Sequence, residues 1–489
     1  MYSMIMRPPQ LRPPRPQPKL VLPVSGTAVP PPRAIYSPPV RPAALNVSSG
    51  PNLGLWVLYA IVFMHFSRVF DRFLAGWHIP GALCSIGILT VLMLGGIRQL
   101  KFAPGIALSC VVGWMTLSAP QSIWRVASIS YVFSYLIYWF PLMILVACVP
   151  RSSRDLIRIS AVSVAASFFQ ITGGTVIDGR LGGSATFGNP DDFALLSGFG
   201  IPFMVLIAQR LSNPFLSFAV MGTGVFFLLF TMFRTATRAV LPALVLMLAV
   251  YFFNSKAIHK IGLLVVVVIS AVAMVFVLPH TVIDRLATIF DSLDSQRVQS
   301  MAQDSEAMAS TAARKELLAD AIKLALDNPF LGVGPGEFAD YRREYLTYAS
   351  GGPKVGMPSH NTYAQIAAET GIPGVIFYIV FLITIYTSIR RVRKLIQTSG
   401  HPDAQPFSQI AIALQAALAF FAVSAFFMTC DRHPQQFLLA GLVMASERLI
   451  LEWIAQNRQS PAQRVQTPNF RISPPLSAHS FPATGPRPA

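Results

Sequence analysis

The sequence predicts an all-α polytopic membrane protein, with about twelve transmembrane helices and one large extracytoplasmic helical loop. Two observations carry this. In 489 residues, 53% are hydrophobic and only 12% are charged, too little charge to cover a soluble surface of that size. The apolar residues also fall into long runs separated by short polar breaks, and a bilayer core requires about 20 apolar residues per helical span.

In chain order, residues 1–52 come first. Pro8, Pro9, Pro13, Pro14, Pro30, Pro31 and Pro32 alternate there with Arg7, Arg12, Arg15, Lys19 and Arg33. Proline at that density removes backbone donors and favours extended chain, so a disordered cytoplasmic tail is expected. No apolar core follows the first basic residues at the distance a signal peptide needs. The apolar runs then lie near 53–70, 80–97, 102–120, 128–149, 157–174, 190–208, 214–233, 239–254, 261–279, 362–388, 409–430 and 434–454. This divides the chain into nine helices over 53–279, a loop over 280–361, three helices over 362–454 and a second tail over 455–489.

Orientation follows from the basic residues of the short loops. One alternate set holds Arg98, Lys101, Arg151, Arg154, Arg158, Arg210, Lys256, Lys260, Arg390, Arg391, Arg393 and Lys394; the other holds Arg68, Arg72, Arg125, Arg180, Arg234, Arg238 and Arg432. Twelve against seven puts the first set and both termini in the cytoplasm and the long loop outside. The net charge of +17 is spread over these loops and the tail, which fits lipid headgroups and the charge rule; a nucleic-acid face would gather it. Cys84, Cys110, Cys148 and Cys430 sit in or beside apolar runs, with no metal or disulfide spacing, and read as packed thiols.

Within the long loop, Ser310 or Thr311 can cap a helix over 313–326 that places Leu317, Leu318, Ala321, Ile322 and Leu324 or Ala325 on one side. Such a helix lies on the bilayer or covers a cavity between spans. Arginines on the outer side of a membrane protein need a reason, since a guanidinium at the hydrocarbon edge is costly unless paired. Arg180, Arg234 and Arg238 are therefore candidate ligands for phosphate oxygens, which planar guanidinium donors match bidentately. The competing reading pairs them with Asp191, Asp192 or Glu337, or with headgroups. His360 is the candidate general base, because an imidazole titrates close to neutrality. Asn361 beside it adds an orienting amide. Gly334 and Gly336 let the backbone turn closely around a ligand, and Glu337 completes the residues expected to bind substrate. Asp191 with Asp192, and Asp284 with Asp291 and Asp294, have the chemistry to hold a cation weakly, but read instead as arginine partners and as a solvated helix face, and no metal or cofactor is expected. His433 is a second imidazole, in a supporting role.

Several of these stretches form a pattern: Asn328-Pro329-x-x-Gly332-x-Gly334-x-Gly336-x-Phe338, then Ser359-His360-Asn361-Thr362-Tyr363 and Glu369-Thr370-Gly371-Ile372-Pro373-Gly374. The pattern resembles the core motif of the bacterial O-antigen ligase and polymerase family. The resemblance extends to Gly188-Asn189-Pro190, Thr237-Arg238-Ala239 and Cys430-Asp431-Arg432-His433. It departs at Asp191, where Asn is common, and at Thr237, where Ser is common. The resemblance implies a fold like that of C-type membrane glycosyltransferases and a site facing the periplasm from the inner membrane. It implies transfer of a glycan from undecaprenyl pyrophosphate to lipid A core or to another lipid-linked glycan. His360 then matches the family's essential loop histidine, and Arg180 and Arg238 its periplasm-facing arginines. Membrane lipids are the other expected partners, and no nucleic acid is. A flippase for lipid-linked oligosaccharides is the competing class; against it, the two halves show no similarity and the unusual sequence lies in one outer loop.

Overall fold

The computed structural model describes residues 53–68, 79–177, 180–182, 189–254, 257–280, 282–283, 305–348 and 352–459. Residues 1–52 and 460–489, the Asp284–Asp294 segment and the side chain of Arg180 lie outside the described residues. The protein is an all-α polytopic membrane protein. Each of the twelve apolar runs contains a helix. The first six are α1 (Leu53–Ser67), α2 (Ile79–Met93), α3 (Ala103–Ser118), α4 and α5 (Arg125–Ser134 and Phe140–Cys148, joined through a π-turn at Tyr135–Trp139), α6 (Ser153–Thr172) and α7 (Pro190–Ala208). Then come α8 (Pro214–Arg234), α9 (Leu241–Asn254) and α10 (Ala257–Val277). Two loop helices follow, α11 (Ser305–Asp327) and α12 (Phe338–Tyr345), and the last spans are α13 (Thr362–Ser399), α14 (Ala404–Ser424) and α15 (Pro434–Gln459). Among the described residues, eight spans are long and apolar enough to cross a membrane, and 53–67, 80–93 and 238–254 are shorter apolar helices. A two-residue antiparallel ladder pairs Val176 with Leu181 and Ile177 with Arg180.

Helix starts follow local chemistry. Asn189 and Asn213 cap α7 and α8 by accepting from Asp191 N and Phe215 N, with Pro190 and Pro214 in the first turn where no amide donor is needed. The core is densest around α15, where Phe437, Leu438, Leu439, Ala440, Leu442 and Val443 are all fully buried. Of the four thiols, Cys84 and Cys430 are buried and Cys148 partly so. Cys110 differs from the expectation: it is exposed, on the outward face of α3.

The loop helix also differs from the sequence reading. It begins at Ser305, so Ser310 and Thr311 lie within its body rather than at its cap. Its buried stripe is Leu317, Asp320, Ala321, Leu324 and Ala325, whereas Ile322 is exposed. The stripe rests on Val333, Phe338 and Ala368, a small core separate from that of the bundle. Buried Arg342 donates to Asp320 at 2.8 Å, and Lys354 Nζ reaches Asp320 and Glu316 at 2.8 Å, fastening the 352–355 segment to α11.

The feature that positions everything outside the bundle is a break in α13. Gly371 has φ 75° and ψ 178°, and Pro373 follows. The broken turn leaves carbonyls without helical donors, and a buried carbonyl needs one. Val333 N donates to Ala368 O at 2.9 Å, Gly334 N to Glu369 O at 2.9 Å, and Trp114 Nε1 to Thr370 O at 2.8 Å. In return Ile372 N donates to Pro329 O at 2.7 Å. The 328–338 motif and the 369–374 motif are therefore two halves of one joint. Gly332 has φ +67°, and a Cβ there would lie 2.3 Å from the Glu369 carbonyl carbon.

We expect Gly332→Ala to lower thermal stability strongly, because the left-handed backbone alone costs about 1–2 kcal/mol and the clash adds to it. Gly113→Ala, in a helix with open space around it, should leave the melting temperature unchanged or raised. Equal melting of the two variants in detergent would contradict the joint.

Candidate active site

Asn361 starts α13 by accepting from Ala364 N at 2.9 Å, and its amide donates to Phe426 O at 3.0 Å. Thr362 N and Oγ1 both donate to Met428 O, and Thr362 Oγ1 accepts from Cys430 N. The start of α13 is thus bound to the turn between α14 and α15. His360, directly before this cap, has φ +52°, a conformation that few non-glycine residues hold without support from their surroundings.

The ring of His360 is largely buried, with Nδ1 4.0 Å from Asp191 Oδ2. Asp191 is the hub of a small cluster. Its Oδ2 accepts from Arg314 Nη2 at 2.7 Å and its Oδ1 from Thr237 Oγ1 at 2.9 Å. The two positions that depart from the family pattern, Asp191 and Thr237, therefore bond each other, across 46 residues. Burial and the positive charge of Arg314 hold the imidazole below its ordinary value of 6.5, while Asp191 pulls the other way. The balance favours the neutral ring, with Nδ1 toward a carboxylate.

His360 borders a cavity of about 600 Å³, within the range of roughly 300–1,000 Å³ usual for ligand sites. The start of α7 contributes Asn189 and Asp192, the loop motif Gly336, α13 Gln365, and the α14–α15 turn Thr429, Asp431, Arg432 and His433. The end of α1 adds His65 and Arg68, and the α4–α5 segment adds aromatic rings. His433 Nε2 lies 3.6 Å from Asp192 Oδ1; burial pushes its imidazole down. The Arg432 guanidinium lies 4.3 Å from the Tyr131 ring centre. Below it, Tyr131 and Tyr135 both donate to buried Asp431.

The sequence-predicted residues are only partly brought together. Arg238 stands next to Thr237, hence at the same end of the bundle as His360. Arg234 lies over Phe230 at 5.7 Å, three residues before Thr237. Arg180 is placed by its backbone in the two-residue ladder. Gly334 packs on Ser122 and Ser128 and Gly336 on Tyr131, so the tight approach is to the protein's own chain, although Gly336 also borders the cavity. Glu337 accepts from Ser128 at 3.3 Å; its burial raises its carboxyl above the ordinary value. The expected arginine partner of Asp191 is Arg314, in the loop helix, which sequence reading did not single out. Also missed were the lining residue Arg68, counted only as a loop charge, and the aromatic rings of α4–α5, while Arg432 entered the sequence pattern without a role in the site.

The other set of arginines lies at the opposite end. Asn254, which ends α9, accepts from Arg393 at 2.6 Å, while Thr237, just before that helix, belongs to the His360 cluster. Arg391 pairs with buried Glu447 at 3.0 Å.

Among the described residues, the helical bundle thus holds a polar cavity bordered by His360 and by the guanidinium groups of Arg68 and Arg432. Residues 218–379 match the family described as O-antigen ligase, which supports the resemblance read from the sequence. No curated protein matches the chain. The family implies a glycosyltransferase-like ligase or polymerase that works on lipid-linked glycans.

The electrostatics of the cluster can be read without any substrate, from the pH dependence of His360 modification by diethyl pyrocarbonate, which attacks the neutral ring. The midpoint should lie below 6.5. Arg314→Gln should raise it, since a nearby cation disfavours imidazolium, and Asp191→Asn should lower it further. Unchanged midpoints in both variants would contradict the cluster.

Proposed function

We propose that the chain transfers a glycan from undecaprenyl pyrophosphate to an acceptor hydroxyl, as ligase or polymerase. The acceptor is a sugar of lipid A core or of another lipid-linked glycan. The reaction takes place at the end of the bundle that holds His360, facing the periplasm from the inner membrane, with both termini in the cytoplasm. The observation that carries this reading is His360 at the border of the cavity, with Asp191 behind it, inside the 218–379 segment that matches the ligase family.

In the reaction, His360 takes the proton of the acceptor hydroxyl as its oxygen attacks the anomeric carbon of the donor. The bond from that carbon to the phosphate oxygen breaks, and pyrophosphate leaves with the electron pair. Asp191 stabilises the imidazolium that forms, as carboxylates do for catalytic histidines. Pyrophosphate is a good leaving group and needs charge stabilisation rather than an acid. Arg68 and Arg432 at the cavity, with Arg238 and Arg180 from the sequence pattern, supply it without a metal. Arg234 adds a further positive charge at the same end.

His360→Ala should lower glycan transfer by about 10²–10⁴-fold, while the protein still inserts at normal levels. Chelators should leave the wild-type rate unchanged. Wild-type activity in His360→Ala, or loss on chelation restored by magnesium, would contradict the mechanism. Movement of labelled lipid-linked sugar across a reconstituted bilayer without a new glycosidic bond would favour a flippase instead.

A further inference from the structure

The cavity has an aromatic part that the transfer chemistry does not use. Tyr131, Ser134, Tyr138 and Trp139 border it from a single segment. In a regular helix, Tyr138 and Trp139 would point about 100° apart and Trp139 would fall off the stripe that starts at Tyr131. The π-turn at Tyr135–Trp139, with Phe140 N donating to Tyr135 O, adds a residue to that turn and brings Trp139 back onto the stripe. Such turns interrupt helices frequently at functional sites.

The rings are held firmly. Trp139 stacks on Phe437 at 5.3 Å and 11°, and His65 meets its edge at 5.2 Å. Yet a polar atom is left over: Trp139 Nε1 is buried with no hydrogen-bond partner among the described residues. A buried donor left unsatisfied is costly, and this one belongs to a residue that borders the cavity.

We infer that Tyr138 and Trp139 form the platform for the first sugar of the donor, a pyranose whose apolar C–H face lies on the rings and whose hydroxyl accepts from Trp139 Nε1. This rests on the transferase reading above. The donor rather than the acceptor is assigned because Arg432 lies over Tyr131 on the same segment. A sugar on the platform then has its anomeric phosphate beside a guanidinium, while the acceptor takes the side of His360. Donor specificity is set by these rings.

The test uses the full chain in nanodiscs and measures binding of undecaprenyl pyrophosphate, bare or carrying one hexose or N-acetylhexosamine. The wild type should bind a sugar-bearing lipid more tightly by roughly 3- to 10-fold. Trp139→Phe, which keeps the stack on Phe437, and Tyr138→Ala should each reduce that gain while binding of the bare lipid is unchanged. A gain that survives in both variants, or a wild type with no gain, overturns the platform and leaves the transferase reading intact. A wild type that binds neither lipid overturns both.

Discussion

The joint at Gly371 is the constraint on which the rest of the extramembrane structure depends. A helix broken inside apolar surroundings must give its freed carbonyls donors, and those come from the Gly332–Gly336 turn and from Trp114. The exchange fixes the turn against α13. Glu369 adds to it by accepting from Gly336 N and Phe338 N, which sets the start of α12. The same first turns of α13 carry Asn361 as their cap and Thr362 as the tie to the α14–α15 turn. One helix start thus receives the loop motif on one side and the last membrane turn on the other, with His360 between them.

This arrangement makes sense of a positive φ at His360. Strain of that kind persists only where neighbours over-determine it, and here the cap, the Thr362 ties and the contact with Asp191 do so. The charge cluster follows the same logic. Asp191 sits at the start of α7, where the helix dipole favours a carboxylate, and it gathers Thr237 from the α8–α9 turn and Arg314 from the loop helix. Three distant stretches are joined at the side chain that faces the imidazole.

Much of the fold was legible in the sequence because a bilayer imposes it. Each apolar run had to become a helix. His360 and the glycine turn were visible for a local reason, as polar and flexible residues in an apolar chain. What could not be read were the long-range pairings. Nothing local to Arg314 says that it reaches Asp191, and nothing in the Tyr131–Trp139 run separates a cavity wall from a lipid-facing helix without the π-turn. The role of Gly334 and Gly336 was half legible: the need for close approach showed, but the partner is Ser122 and Tyr131. The amphipathic stripe of α11 was offset because its true partner is the small core of Val333, Phe338 and Ala368, rather than a bilayer surface.

The account's central claim is that the cavity bordered by His360 is where the lipid-linked glycan reacts. An electron-microscopy map of the protein in lipid nanodiscs with bound undecaprenyl pyrophosphate glycan tests it most directly. The account predicts pyrophosphate density beside Arg432, with the sugar reaching toward His360. Density at the opposite end, near Arg391 and Arg393, would contradict it.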